Sequence, residues 1–191
     1  RAVDGGVILL LAVPELLLVL LAAIFAARTG WFPSGGMSSS DVPSFTRAEQ
    51  VRDLLWHLAL PGAVLVLSGL PVLVRHVRSA MAAVLDAPFA WNARAQGIGG
   101  WRLWLRHLLP AAANPLLSLA GASLGALLSG SLLVEVVLDW PGVGPLLLSA
   151  IMARDFPVVM AVVIASAAFL IAGNLVADLL LGVVDPRIRL E

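Results

Sequence analysis

Few residues in this chain could do covalent chemistry. His57, His76 and His107 lie on separate segments with no His-Glu-x-x-His pair among them, so no helix face presents two imidazoles to one metal ion. Each falls near the edge of an apolar run, where an interfacial or capping role is expected. There is no Cys, which removes thiolate nucleophiles, thiolate metal sites and disulfides together. There is no Lys either, so every fixed cation is an arginine and a phosphate-cradling Gly-x-x-x-x-Gly-Lys-Ser/Thr loop cannot occur. Any ATP hydrolysis by that route belongs to another chain. Glu15 stands out because it interrupts the apolar run 7–27 beside Pro14. A carboxylate at membrane depth is costly, so it is expected to face protein or water. It is a candidate pathway residue for a cationic substrate amine, or a hydrogen-bond partner for a neighbouring helix.

Two further patterns suggest packing rather than chemistry. Gly121, Gly125 and Ser129 recur every fourth residue, a small-residue stripe that lets a second helix approach closely, in this subunit or in another. Asn174 and Asp178, also four apart, share a helix face and are expected to hydrogen-bond between helices.

The elements that carry these residues follow from composition. The chain has 191 residues, 60% apolar and 13% charged, with a mean hydropathy of +0.99. Soluble domains run at about 45–50% apolar and about 25% charged, so a soluble enzyme, a disordered chain and a nucleic-acid binder are all excluded. Four stretches reach the ~20 apolar residues that a spanning helix needs: about 7–27, 54–74, 111–134 and 156–184. No alternating ten-residue segments of a β-barrel occur. The expected fold is an all-α membrane protein with about four transmembrane helices, one domain over 1–191, connected by loops at about 28–53, 79–109 and 135–155.

Arginine placement orients it. With four spans, Arg1, Arg75, Arg78, Arg94, Arg102, Arg106, Arg187 and Arg189 fall on one side, and Arg28, Arg47, Arg52 and Arg154 on the other, where acids offset them. The positive-inside rule then puts both termini and the central loop in the cytoplasm. Residues 30–50 form a polar outer connection, with Trp31 and Phe32 at the level of an aromatic belt and a short surface helix over 44–53.

In the central loop a helix is expected to start at Asp86-Ala87-Pro88, with Asp86 capping and Pro88 in the first turn. Ala90, Ala93 and Ala95 give it a slim surface, and Gly97 ends it. A second, amphipathic helix follows, with Trp101, Leu105 and Leu108 on one side and Arg102 and Arg106 on another, closed by Pro110. The pair suits insertion into another protein's cleft, or a place on lipid headgroups.

Asn92-Ala93-Arg94-Ala95-Gln96-Gly97, nine residues, then His107-Leu108-Leu109-Pro110 resembles the EAA loop of ABC importer permeases. Trp91 replaces the pattern's Glu, and His107 its Ile. Ala93–Gly97 with Leu105-Arg106-His107 is similar to the oligopeptide/dipeptide/nickel permease subfamily. So are Val13-Pro14-Glu15, Gly30–Gly35, Glu135–Gly144, Ala153–Pro157, Asn174–Asp178 and Asp185–Arg189. Members usually carry further N-terminal sequence, so the chain resembles the C-terminal part of such a permease, without about two helices.

The resemblance implies the transmembrane subunit of an ATP-driven importer in a bacterial-type inner membrane. It would form the path for peptides or a related small solute such as nickel. It is not itself an enzyme, and it needs no cofactor and no resident metal. Implied partners are two ABC ATPase subunits, a second permease, identical or homologous, an extracytoplasmic substrate-binding protein and the lipid bilayer, with no nucleic acid. Ala90, Trp91, Ala93, Arg94, Ala95, Gly97 and Arg102 would couple to the ATPase. Glu135, Trp140, Pro141, Gly142 and Gly144 would form an outer gate or binding-protein contact, or a plain cap that seals the bundle. The rival reading is a secondary transporter or channel without an ATPase, which would show inverted repeats or broken helices; no repeat is evident.

Overall fold

The computed structural model describes residues 12–39 and 45–184, and all regular structure among them is helical. Helix α1 is Glu15–Thr29, α2 Arg47–Leu85, α3 Pro88–Ala95, α4 Gly100–Leu103, α5 Leu109–Val137, α6 Val143–Ala153 and α7 Phe156–Val184. A π-helical turn, Trp104–Leu108, joins α4 to α5. Within these helices, the segments Arg47–Leu85, Pro115–Val137 and Phe156–Gly182 are long and apolar enough to cross a membrane. They overlap three of the four expected spans. The start of the first expected span lies outside the described residues, as do Asp185–Arg189; the described part of that span is α1, 15 apolar-rich residues closed by Gly30 at φ 65°.

Helix α2 departs from expectation at its start. Among the described residues no separate surface helix covers 45–53; one helix runs 39 residues from Arg47, about 58 Å at 1.5 Å per residue. The reason is a capping box. The Glu49 carboxylate accepts the Thr46 N–H at 2.7 Å and its hydroxyl at 2.8 Å, while Thr46 Oγ1 accepts the Glu49 N–H at 3.4 Å. With the helix nucleated there, nothing breaks it before Leu85; Pro61 and Pro71 are both buried within it.

Pro110 does not close a helix either. Its ring clashes with the carbonyl four residues back and it offers no N–H. The chain answers by widening, with the Leu109 N–H bonding Trp104 O, five residues back, and continues into α5. At the other junctions backbone conformation makes the turn. Asp139 and Arg154 adopt φ 51° and 57°. After Arg154, Asp155 caps α7 by accepting the Val158 N–H at 3.2 Å.

The chain divides into two compact units: Arg1–Pro71 with Leu127–Ser166, and Val72–Ala126 with Ala167–Glu191. Helices α2, α5 and α7 contribute to both. The first unit centres on Val19, Ala26, Leu60, Val64, Val134 and Leu138. The second centres on Val84, Ala90, Ala93, Leu103, Leu108 and Ala112. Many large apolar side chains stay exposed, among them Phe156 at 72%, Ile164 at 63% and Ile171 at 67% on α7, the pattern of a surface that faces lipid or other helices.

Candidate functional site

The most distinctive local structure is α3 with its exit turn, in the second unit. Ala87, extended, takes the N-cap position expected for Asp86 and no side-chain capping bond forms; the fixed φ of Pro88 in the first turn starts the helix without one. Ala90 is fully buried and Ala93 7% exposed, both packed with Val84, Leu103, Leu108 and Ala112. The slim side of α3 thus turns inward onto its own chain. Outward stand Phe89, Trp91, Asn92, Arg94, Ala95 and Gln96, with Trp91 63% exposed. The Arg94 guanidinium carbon lies 5.9 Å from the centre of the Trp91 ring, within reach of a cation–π contact. Gly97 ends the helix at φ +80°, and the Ile98 N–H reaches back to Ala93 O at 3.0 Å. The result is a short helix bedded by two alanines, with an aromatic and cationic outer face. Arg102 is exposed on α4, apart from that face in sequence.

The segment Glu135–Gly144, in the first unit, is a closed device. Glu135 Oε2 accepts the Gly144 N–H at 2.7 Å, so a carboxylate near the end of α5 satisfies the first turn of α6, where the helix dipole favours negative charge. A Cβ on Gly142 would collide with that carboxylate, and one on Gly144 would lie 2.6 Å from Leu132 O. Half-buried Trp140 donates its backbone N–H to Glu135 O at 2.9 Å, while Pro141 is exposed.

Glu15 is half-buried in the same unit. It accepts a hydrogen bond from Ser68 Oγ at 3.3 Å, and its Oε1 lies 2.5 Å from where a Cβ on Gly130 would be. The carboxylate thus sits between α1, α2 and α5, filling space that Gly130 leaves free.

In the second unit the small-residue stripe meets a neighbour in the same chain. A Cβ on Gly121 would lie 3.0 Å from Ala177 Cβ and from Asn174 Oδ1, and one on Gly125 3.2 Å from Leu170. Gly173 on α7 in turn accommodates Leu124. Ser129 and Asp178 are exposed. Residues 121–125 also carry the Gly-x-Ser-x-Gly spacing of a hydrolase elbow. They lie inside α5 instead of at a strand-to-helix turn, and the Ser123 hydroxyl donates to Leu119 O at 2.8 Å.

A strap over 31–39, in the first unit, is the feature least visible in sequence. The Ser39 hydroxyl donates to Asp53 Oδ1 at 2.6 Å and its N–H to Oδ2 at 2.9 Å. Gly36 N–H reaches Leu138 O at 2.9 Å, and a Cβ on Gly35 would lie 2.8 Å from that oxygen. Phe32 stacks on Trp56 with centroids 5.1 Å apart. Next to the tether, buried His57 places Nδ1 2.9 Å from Asp53 O. The Ser39 hydroxyl, then its N–H, hold the Asp53 carboxyl below its usual range against burial that raises it; His57 adds a smaller lowering. No three His, Asp or Glu side chains among the described residues converge as metal ligands.

Comparison with known proteins agrees with this architecture. A family model described as binding-protein-dependent transport system inner membrane component matches residues 1–190. The oligopeptide transport system permease protein AppB of Bacillus subtilis is 35% identical over 171 residues, 90% of this chain and 52% of that protein. The dipeptide transport system permease protein DppB of Escherichia coli K12 is 42% identical over 137 residues, 72% of this chain and 40% of that protein. The di/tripeptide transport system permease protein DppB of Pseudomonas aeruginosa is 35% identical over 184 residues, covering 90% and 55%. The chain spans about half the length of the curated relatives it matches. It is an all-helical membrane protein that belongs to the family of binding-protein-dependent transport system inner membrane components, similar within it to the peptide permeases.

Proposed function

We propose that the chain serves as a transmembrane subunit of an ABC importer for peptides, or for a related small solute such as nickel. It lines the translocation path with a second permease, receives solute from an extracytoplasmic binding protein, and couples to two ATPase subunits through α3. The observation that carries this reading is the bedding of α3. Ala90 and Ala93 lock it onto its own unit, and Gly97 turns the chain back at φ +80°. A rigid short helix of this kind transmits a push, whereas a flexible loop would absorb it. Trp91, Arg94 and Ala95 form the contact face, with the guanidinium offering a fork to carboxylates or carbonyls. ATP-driven closure of the motor then moves α3, and α2 and α5 on either side carry that movement toward the bilayer.

The test is a pair of variants in the assembled transporter. Gly97→Pro, which cannot adopt the positive φ, is expected to abolish ATP-dependent peptide uptake while membrane insertion persists. A cysteine placed at Ala95 in this cysteine-free chain is expected to crosslink to the ATPase. Normal uptake by Gly97→Pro, or a crosslink that never captures a motor subunit, overturns the coupling role.

The Glu135–Gly144 corner and the 31–39 strap fit a firm outer cap against which a binding protein docks, because both are held by internal hydrogen bonds. Glu15 fits a helix clasp, because Ser68 and Gly130 already surround its carboxylate. Glu15→Gln is expected to leave substrate selectivity unchanged; a changed preference among cationic substrates would return Glu15 to the pathway.

A further inference from the structure

The segment from Gly100 to Leu109 has two unlike sides. Leu103 and Leu108 are buried, at 5% and 0% exposure, whereas Trp101 is 76%, Trp104 44%, Leu105 46% and Leu109 49% exposed. Arg102 and Arg106, four apart, stand in the open beside the row Trp101, Leu105 and Leu109. No Asp or Glu occurs between Asp86 and Glu135, and among the described residues no carboxylate pairs with either arginine. The segment continues without a break into the helix Leu109–Val137, whose part from Pro115 is long and apolar enough to cross a membrane. Tryptophan rings favour the membrane–water interface, and arginines there are attracted by the net negative charge of anionic headgroups.

We propose that this face binds the headgroups of anionic phospholipids. Charge complementarity selects that occupant: two guanidiniums in a stretch devoid of carboxylates, flanked by indole rings, match a layer that presents negative charge above an apolar floor. Arg102, placed by resemblance among the coupling residues, faces outward with Arg106 and takes a headgroup instead. The assignment stands apart from the coupling role of α3 and needs only that α5 crosses the bilayer.

The full chain reconstituted in phosphatidylcholine vesicles provides the test, with brominated phosphatidylglycerol or brominated phosphatidylcholine as quencher of tryptophan fluorescence. The share of emission from these two residues is the difference between the unaltered chain and Trp101→Phe/Trp104→Phe. Brominated phosphatidylglycerol is expected to quench that share more strongly, to the extent of about fivefold local enrichment per arginine. Arg102→Gln/Arg106→Gln is expected to remove the preference, and Arg102→Lys/Arg106→Lys to keep it. Equal quenching by the two lipids, or an unchanged preference in the glutamine variant, overturns the proposal. So does an absence of quenching by either lipid, which would mean that a second copy or another protein covers the face.

Discussion

Several glycines here matter for what approaches them, and the nature of the approaching atom decides the cost of a substitution. Gly35 faces backbone, with Leu138 O 2.8 Å from a Cβ built there, whereas Gly130 faces the end of the Glu15 side chain at 2.5 Å. A carboxylate at the end of a flexible side chain can rotate away; a helix-terminal carbonyl cannot. Gly35→Ala is therefore expected to lower stability by about 1–3 kcal/mol and Gly130→Ala by less than about 1 kcal/mol, read as thermal midpoints in detergent. Equal shifts would contradict the distinction. Asp53 adds a pH dependence. Its carboxyl is held below the usual range first by the Ser39 hydroxyl and then by the Ser39 N–H. A group with a depressed folded pKa contributes stability that is present above its unfolded pKa and is lost as pH falls through the folded value. The 31–39 strap should hold at neutral pH and release below the ordinary carboxylate range. Ser39 amide exchange, corrected for its intrinsic pH dependence, should lose protection over that interval, and Asp53→Asn should lack the transition. Neither the tether nor the Glu135 cap on Gly144 was legible in sequence, because partners 14 and 9 residues apart carry no periodic signature.

Helices show the opposite balance. The existence and apolar character of the long helices were readable, and so were several ends: Gly97 stops α3, and Pro88 starts it; α6, Val143–Ala153, lies in a stretch that reads as a loop over 135–155. The misreadings arose where two local signals competed. Thr46-Arg47-Ala48-Glu49 is a capping box, yet the polar composition around it suggested a separate surface helix, and the structure runs α2 through. Pro110 signals a stop, yet the π-turn absorbs it because apolar sequence on both sides favours continuous helix. The stripe on α5 packs against α7 through Gly121 and Gly125, with Gly173 returning the fit. Gly121→Leu is expected to destabilise the second unit by about 1–3 kcal/mol through overpacking, while Ala126→Leu, at an exposed position of the same helix, should stay within about 0.5 kcal/mol. Helix content during thermal unfolding separates the two, and equal losses would remove the packing role from the stripe.

At the scale of the whole molecule, topology is the question that hydropathy and arginine bias can address and that side-chain contacts cannot, since the bilayer acts from outside the chain. The central basic stretch is proposed to be cytoplasmic. A cysteine-free sequence makes the check direct: Gln96→Cys should react with an impermeant maleimide only from the cytoplasmic face, and Pro141→Cys only from the opposite one. Reversed labelling would invert the topology and with it the coupling role of α3. The sequence by itself determined the all-helical membrane class, the approximate spans and the family resemblance. Hydropathy, glycine and proline positions and short motifs are properties of neighbouring residues, so no contact across the fold is needed to read them. Only the tertiary structure decided that Ala90 and Ala93 face inward, that Glu15 rests against Gly130, that Glu135 caps another helix, and that the glycine stripe serves this chain's own α7. On the spanning helices this depends on which face of a uniformly apolar helix meets its neighbour, and a helix apolar all round carries no stripe to say which face that will be; on α3, eight residues are too few for a periodic pattern to settle it.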